Sequence, residues 1–170
     1  MIRSQKIIID GYNVIYTDDR LRRIACRDME RAREEFLRVL EDYIKAKDIQ
    51  VTVVFDGKGG MVEAEAVVPG KLQVVYSATG QSADDLILSV VEESGKARSY
   101  MVVTSDRAHI GGMAKRLGCE VLGSKRFLER LLKRTPESSK HRDEKPGQGN
   151  IDTDYWLGMF GTDGEGESSN

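Results

Sequence analysis

Short apolar runs alternate along the chain with segments of helical period. Lys6–Asp10 (KIIID), Gln50–Asp56 (QVTVVFD), Leu72–Ser77 (LQVVYS), Tyr100–Asp106 (YMVVTSD) and Glu120–Gly123 (EVLG) are rich in Val and Ile. Most of them close on Asp or Gly, the pattern of strands buried on both faces. Between them, Met29, Ala32, Phe36, Leu40, Tyr43 and Ile44 recur at helical spacing and predict a helix over roughly Ala25–Lys47. Leu86, Ile87, Val90 and Val91 predict a shorter helix, Ala108–Leu117 a third, and Phe127, Leu128, Leu131 and Leu132 a fourth over Ser124–Arg134. Strands alternating with helices imply parallel strand–helix–strand units. The expected fold is a three-layer α/β domain with a central, mainly parallel sheet.

The pattern stops near Arg134, where Thr135-Pro136 breaks the last helix. A domain over 1–135 is therefore expected, followed by a tail over 136–170 whose polar, Gly-rich composition predicts disorder. One exception in the tail is Tyr155-Trp156-Leu157-Gly158-Met159-Phe160, a short aromatic motif suited to docking on its own domain or on a protein partner.

Composition narrows the class. The 170 residues are 39% hydrophobic with 17 Gly, enough for a core, which excludes whole-chain disorder and a coiled coil. No apolar run approaches the ~20 residues of a membrane span, and Ile7-Ile8-Ile9 is too short for a secretory leader. Cys26 and Cys119 cannot build a disulfide framework, so a reducing cytoplasm is expected, with Cys119 as a small buried hydrophobe. The formal charge of −2 is uneven: the tail carries eight acids against three bases, a net −5, leaving +3 for residues 1–135. Arg107–Arg134 alone holds eight Lys/Arg against Glu120 and Glu129. A basic stretch in an otherwise balanced domain is compatible with a polyanionic partner, and equally with a solvated helix face.

Three predicted strands end in a carboxylate: Asp10, Asp56 and Asp106. In an open parallel sheet the C-terminal strand ends share one edge, where ligands bind. A fourth carboxylate joins them because Ser82-Ala83-Asp84-Asp85 opens a helix whose N-terminus faces that edge. Each acid alone also reads as a turn or cap residue. Asp85 does so most strongly, since Ser82-x-x-Asp85 has capping-box spacing, which makes Asp84 the better chemical candidate. As a set, clustered carboxylates repel, and a divalent cation removes that cost. Carboxylates are the hard ligands that Mg²⁺ and Mn²⁺ prefer, while two lone histidines, His109 and His141, argue against zinc. There is no P-loop, and Gly57-Lys58-Gly59-Gly60 lacks the context of a dinucleotide fingerprint. Metal-assisted hydrolysis of a phosphodiester remains.

The ordered set Asp10-Gly-Tyr-Asn13, Val54-Phe55-Asp56, Ser82-Ala-Asp84-Asp85 and Thr104-Ser-Asp106 resembles the NYN branch of the PIN-like nucleases, and within it the bacterial YacP-like ribonucleases. The resemblance covers Lys6 to about Arg134 and leaves the tail without a counterpart. It implies an endoribonuclease using Mg²⁺ or Mn²⁺, linked to mRNA decay on the ribosome. Carried over to this chain, it makes Asp10, Asp84 and Asp106 metal ligands and Asp56 a ligand or a supporting acid. Asp85, where relatives often have Glu, becomes auxiliary or a cap. Asn13 would orient a water or contact phosphate, or else serve as a turn residue, and Ser105 would hydrogen-bond a carboxylate or the scissile phosphate.

RNA contacts are expected from Lys58, Arg107 and His109, with Arg20, Arg22 and Arg23 as a second flank. His109 suits a phosphate contact or a surface position better than a general base. Tyr12 and Tyr16 are candidates for base stacking, Tyr12 with core packing as the stronger reading. The rival readings are a catalytically silent RNA- or ribosome-binding module of the same fold, and a structure-specific DNA nuclease.

Overall fold

The computed structural model describes residues 5–57 and 59–133. Lys58 and the tail motif Tyr155–Phe160 lie outside them, as does the whole segment 136–170. The chain runs β1 (Gln5–Asp10), α1 (Gly11–Thr17), α2 (Asp19–Ala25), α3 (Met29–Ile44), β2 (Ile49–Phe55), β3 (Glu63–Val68) and β4 (Leu72–Tyr76). It continues through α4 (Ala83–Glu93), a 3₁₀ turn (Ala97–Ser99), β5 (Tyr100–Val103), α5 (Ile110–Leu117), β6 (Glu120–Leu122) and α6 (Ser124–Lys133).

Six strands form one sheet in the order β3-β4-β2-β1-β5-β6, parallel except for β3. The period of two in a strand sends alternate side chains to opposite faces. Ile7 and Ile9 of β1 therefore join Val14, Ile15, Phe36, Leu40 and Phe127 in one core, under α1, α3 and α6. Ile8 joins Ile87, Val91, Ile110 and Ala114 in the other, under α4 and α5. Both faces of the sheet are covered, as the continuous apolar runs require, and the architecture is the expected three-layer α/β fold.

Three local features differ from the sequence expectation. The helix expected over Ala25–Lys47 begins at Met29, because Asp28 accepts the Arg31 N–H at 3.0 Å and caps it. Upstream, α1 and α2 escape the periodicity because each is a two-turn helix, set off by Asp10 and Asp18 as caps. The strand β3 is an edge strand whose first four residues are exposed, so it shows no buried alternation, and a register shift between Ala66 and Val68 bends it. Cys119 is a free, buried thiol directly before β6, and burial pushes its pKa up. Cys26 is free and exposed. Among the described residues no helix is long and apolar enough to cross a membrane.

Candidate active site

The strand β1 runs straight into α1 at the C-terminal edge of the sheet. Gly11 permits this junction: a Cβ there would stand 2.3 Å from Cε1 of Phe55, inside the ring's own volume. Asp10 is the N-cap, its Oδ1 accepting the Asn13 N–H at 3.2 Å. Burial pushes the Asp10 carboxyl up to about 7, against the opposing pull of that N–H, and the nearby Asp84 and Asp56 carboxyls raise it further. The Asp84 carboxyl lies within hydrogen-bonding reach of Asp10.

Asp56 directly follows β2 and is exposed. Its Oδ1 accepts the Ala83 N–H at 2.7 Å, fastening the strand end to the first turn of α4. Ser82 and Asp85 complete that helix end as a reciprocal capping box. The hydrogen bonds from Ser82 hold the Asp85 carboxyl below the usual carboxylate range. Asp85 is thus occupied with the helix end, and Asp84, one position before it, is turned toward Asp10.

Asp106 lies in the loop after β5, three residues beyond the strand. The Asp106 N–H donates to Oγ1 of the fully buried Thr104, and its carboxylate accepts the N–H groups of Ala108 and His109 at 3.1 and 3.0 Å. That tight turn brings the His109 ring back over the acids. Its Nδ1 lies 3.3 Å from Oδ2 of Asp84. One donor atom from each of Asp84, Asp106 and His109 falls within 4.8 Å of the other two. Two carboxylates and an imidazole at this spacing, beside a third carboxyl held near neutrality, fit a divalent cation that accepts oxygen and nitrogen donors. A cavity of about 750 Å³ lies at the opposite edge, around Lys6, Lys96 and Arg98.

Asn13 joins distant parts of this edge. Its Oδ1 accepts the Ser105 N–H at 2.8 Å and the Ser124 hydroxyl at 2.6 Å, tying α1 to the β5–α5 loop and to the start of α6. The oxygen is spent on the scaffold, and among the described residues the amide Nδ2 has no partner. Ser105 contributes its backbone here and leaves its hydroxyl exposed. Arg107 is exposed, with its guanidinium beside Gly123. Arg22 and Arg23 are exposed on α2; Arg22 pairs with Asp19 at 2.7 Å, and no described interaction links either to the acids. Tyr16 is half exposed, whereas Tyr12 packs partly on the core.

The acids Asp10, Asp56, Asp84 and Asp106 come to one edge. Their topology was readable, because each follows a strand or opens a helix there. The sequence reading placed His109 among phosphate contacts; the Asp106-x-x-His109 spacing within one turn was the available signal for its place among the acids. Ser124, fully buried behind the site, carried no signal, since a lone hydroxyl in an apolar segment has many ordinary roles, and the equally buried Thr104 stood in the Thr104-Ser-Asp106 motif with no role assigned to it.

The sequence profile of the YacP-like NYN domain matches residues 7–156. The match thus runs past the boundary at 135 drawn from composition, and reaches into the tail as far as Trp156. No curated protein matches the chain. Among solved structures, Rae1 (YacP) from Bacillus subtilis is similar at 20% identity and a TM-score of 0.61, over 75% of this chain and 73% of that one. Its tryptophan-to-leucine mutant gives 20% identity and a TM-score of 0.59, over 75% and 74%. At that identity the likeness speaks for the fold, while the profile spans most of the chain. The chain belongs to the YacP-like NYN domain family and carries its PIN-like nuclease fold.

Proposed function

We propose that this protein is a metal-dependent endoribonuclease that hydrolyses RNA phosphodiester bonds with Mg²⁺ or Mn²⁺. The observation that carries the reading is the meeting of Asp84, Asp106 and His109 donor atoms beside Asp10, at the C-terminal sheet edge of a PIN-like nuclease fold. Asp10, Asp84 and Asp106 hold the cation, Asp56 supports them, and Asp85 caps the helix that presents Asp84. A bound divalent cation supplies an activated water and positive charge for the leaving oxygen. Burial and the neighbouring acids favour the protonated form of Asp10, a cost that a cation held by these carboxylates would remove. Asn13 sets the distance between Asp10 and the Asp106 loop, and its amide N–H donates to substrate or water. Ser105, Arg107 and Lys58 contact the RNA backbone, with Arg22 and Arg23 as a more distant basic flank. His109 adds a nitrogen donor, which favours Mn²⁺ over Mg²⁺. The setting is the cytoplasm, and the substrate is mRNA in decay, including mRNA on the ribosome.

The test is incubation of RNA, naked and on translating ribosomes, with Mg²⁺ or Mn²⁺, comparing the parent with Asp10→Asn and Asp84→Asn. Cleavage by the parent alone is expected. Cleavage that survives both substitutions would overturn the site. Binding without cleavage in every condition would instead identify a silent RNA- or ribosome-binding module, and preferential cutting of DNA a structure-specific DNA nuclease.

A further inference from the structure

Beside the acids, on the α1 and α3 face of the same edge, stands a second group that the catalytic reading leaves unused. It comprises Tyr12 near the start of α1, Phe55 at the end of β2, Tyr76 at the end of β4, and Arg33 in the second turn of α3. The Tyr12 and Phe55 rings are 4.9 Å apart and tilted, and Phe55 stacks on Tyr76 at 5.9 Å. The Arg33 guanidinium lies 5.9 Å from the Phe55 centroid and 6.0 Å from that of Tyr76, and its Nη1 donates to the Tyr12 hydroxyl at 2.9 Å.

Among the described residues no acid lies within ion-pair distance of Arg33. Glu30 and Glu65 are near enough to act on Tyr76 electrostatically, yet both are exposed and neither pairs with the guanidinium. Phe55 is fully buried, whereas Arg33, Tyr12 and Tyr76 are half-buried and present one side to solvent. A half-buried cation has lost part of its hydration, and aromatic faces return only a fraction of it. Holding one in place without a counter-charge suits a site whose anion arrives with a ligand.

Position identifies the anion. Tyr12 is two residues from Asp10, and Phe55 directly precedes Asp56, so the guanidinium flanks the acidic edge. A polyphosphate strand laid across Asp10, Asp84 and Asp106 is repelled by their charge wherever no metal intervenes, and a fixed cation beside them holds the strand there. Guanidinium presents five donors in a planar fork, of which Tyr12 takes one, and the remainder match two phosphate oxygens. A cation combined with half-exposed aromatic rings is the equipment of single-strand binding.

We propose that Arg33, held by Tyr12, Phe55 and Tyr76, binds a phosphate of single-stranded RNA adjacent to the one at the acids. The inference rests on the ribonuclease reading and specifies its substrate as an unpaired strand with a second anchored phosphate.

The experiment measures binding of a labelled single-stranded RNA to the full chain carrying Asp84→Asn, which prevents cleavage, over a range of salt. Arg33→Gln is expected to weaken binding about tenfold or more and to lower the log–log salt slope by about 0.7, the value of one phosphate on a single strand. Arg33→Lys retains the slope and recovers part of the affinity, because a point charge replaces the fork. Single methylphosphonate substitutions along the RNA provide a second reading that either variant can carry. One position should weaken binding to the parent, weaken it less with Arg33→Lys, and leave Arg33→Gln unaffected. An Arg33→Gln protein with native circular dichroism, unchanged affinity and unchanged slope would overturn the proposal. So would a parent with no sensitive phosphate, or double-stranded RNA bound as tightly with the same dependence on Arg33. Failure of the parent to bind any RNA, naked or on ribosomes, would instead sink the ribonuclease reading itself.

Discussion

Replacing Asp10 by Asn separates the cost of a buried carboxylate from its use. In the folded protein burial and two neighbouring acids raise the Asp10 carboxyl from 3.8 to about 7. A folded-state pKa above the unfolded one means that folding favours the protonated acid. The penalty is absent below about pH 4, grows as pH rises through 4 to 7, and is complete above 7. At 1.36 kcal/mol per pH unit, a shift of that size is on the order of 4 kcal/mol. Asn keeps an acceptor for the Asn13 N–H and carries no charge, so it escapes the penalty. For a chain of this size each kcal/mol moves the melting temperature by about 2–4 °C. In chelator, Asp10→Asn should therefore melt about 10 °C above the parent at pH 8, with the gap closing as pH falls toward 4. Divalent cation reverses the order of benefit, because the metal neutralises the carboxylates of the parent. At a hundred times its dissociation constant a ligand adds about 2.7 kcal/mol, which the variant, missing one charge of the site, gains in smaller part. The assay is a pair of melting curves from pH 4.5 to 8.5, with chelator and with Mn²⁺. Parallel curves across pH, or a variant less stable than the parent at pH 8 in chelator, would refute the burial argument.

Asp84→Asn should abolish tight metal binding in calorimetric titration. Its neighbour Asp85→Asn should lower the melting temperature while leaving metal affinity intact, because Asp85 serves the Ser82 cap. His109→Gln should weaken Mn²⁺ about tenfold or more with a smaller effect on Mg²⁺, and remove nitrogen coupling from the Mn²⁺ electron spin echo spectrum; equal losses for both metals would exclude the imidazole as a ligand. Gly11→Ala drives a Cβ into the Phe55 ring and should cost about 1–3 kcal/mol in urea denaturation. Ser124→Ala removes the 2.6 Å donor to Asn13 from a fully buried position, costing about 1 kcal/mol in the same assay.

The fold was legible because its strands are buried on both faces and the helices between them are amphipathic. Ile7, Ile8 and Ile9 are apolar in succession since neighbouring side chains enter different cores. The edge strand β3 was invisible for the converse reason: Glu63 and Glu65 stand in solvent, and only pairing with β4 makes the segment a strand. Likewise α1 and α2 are too short to show a period, and their starts depend on Asp10 and Asp18 acting as caps.

The meeting of the acids at one edge follows from sequence alone, because in a parallel sheet every strand end that carries an Asp faces the same way. Capping-box spacing likewise separated Asp85 from Asp84 before any geometry was known. Chain order could not say which side chains turn toward one another. The 3.3 Å approach of His109 to Asp84 and the two bonds at the Asn13 oxygen join residues 25, 92 and 111 positions apart. Nor could it show that Arg33 meets Tyr12 across 21 residues and lies over the Phe55 ring. Strand and helix patterns record local burial, whereas charge, partners and pKa depend on what the packed sheet brings within a few ångströms. Only the tertiary structure decides that.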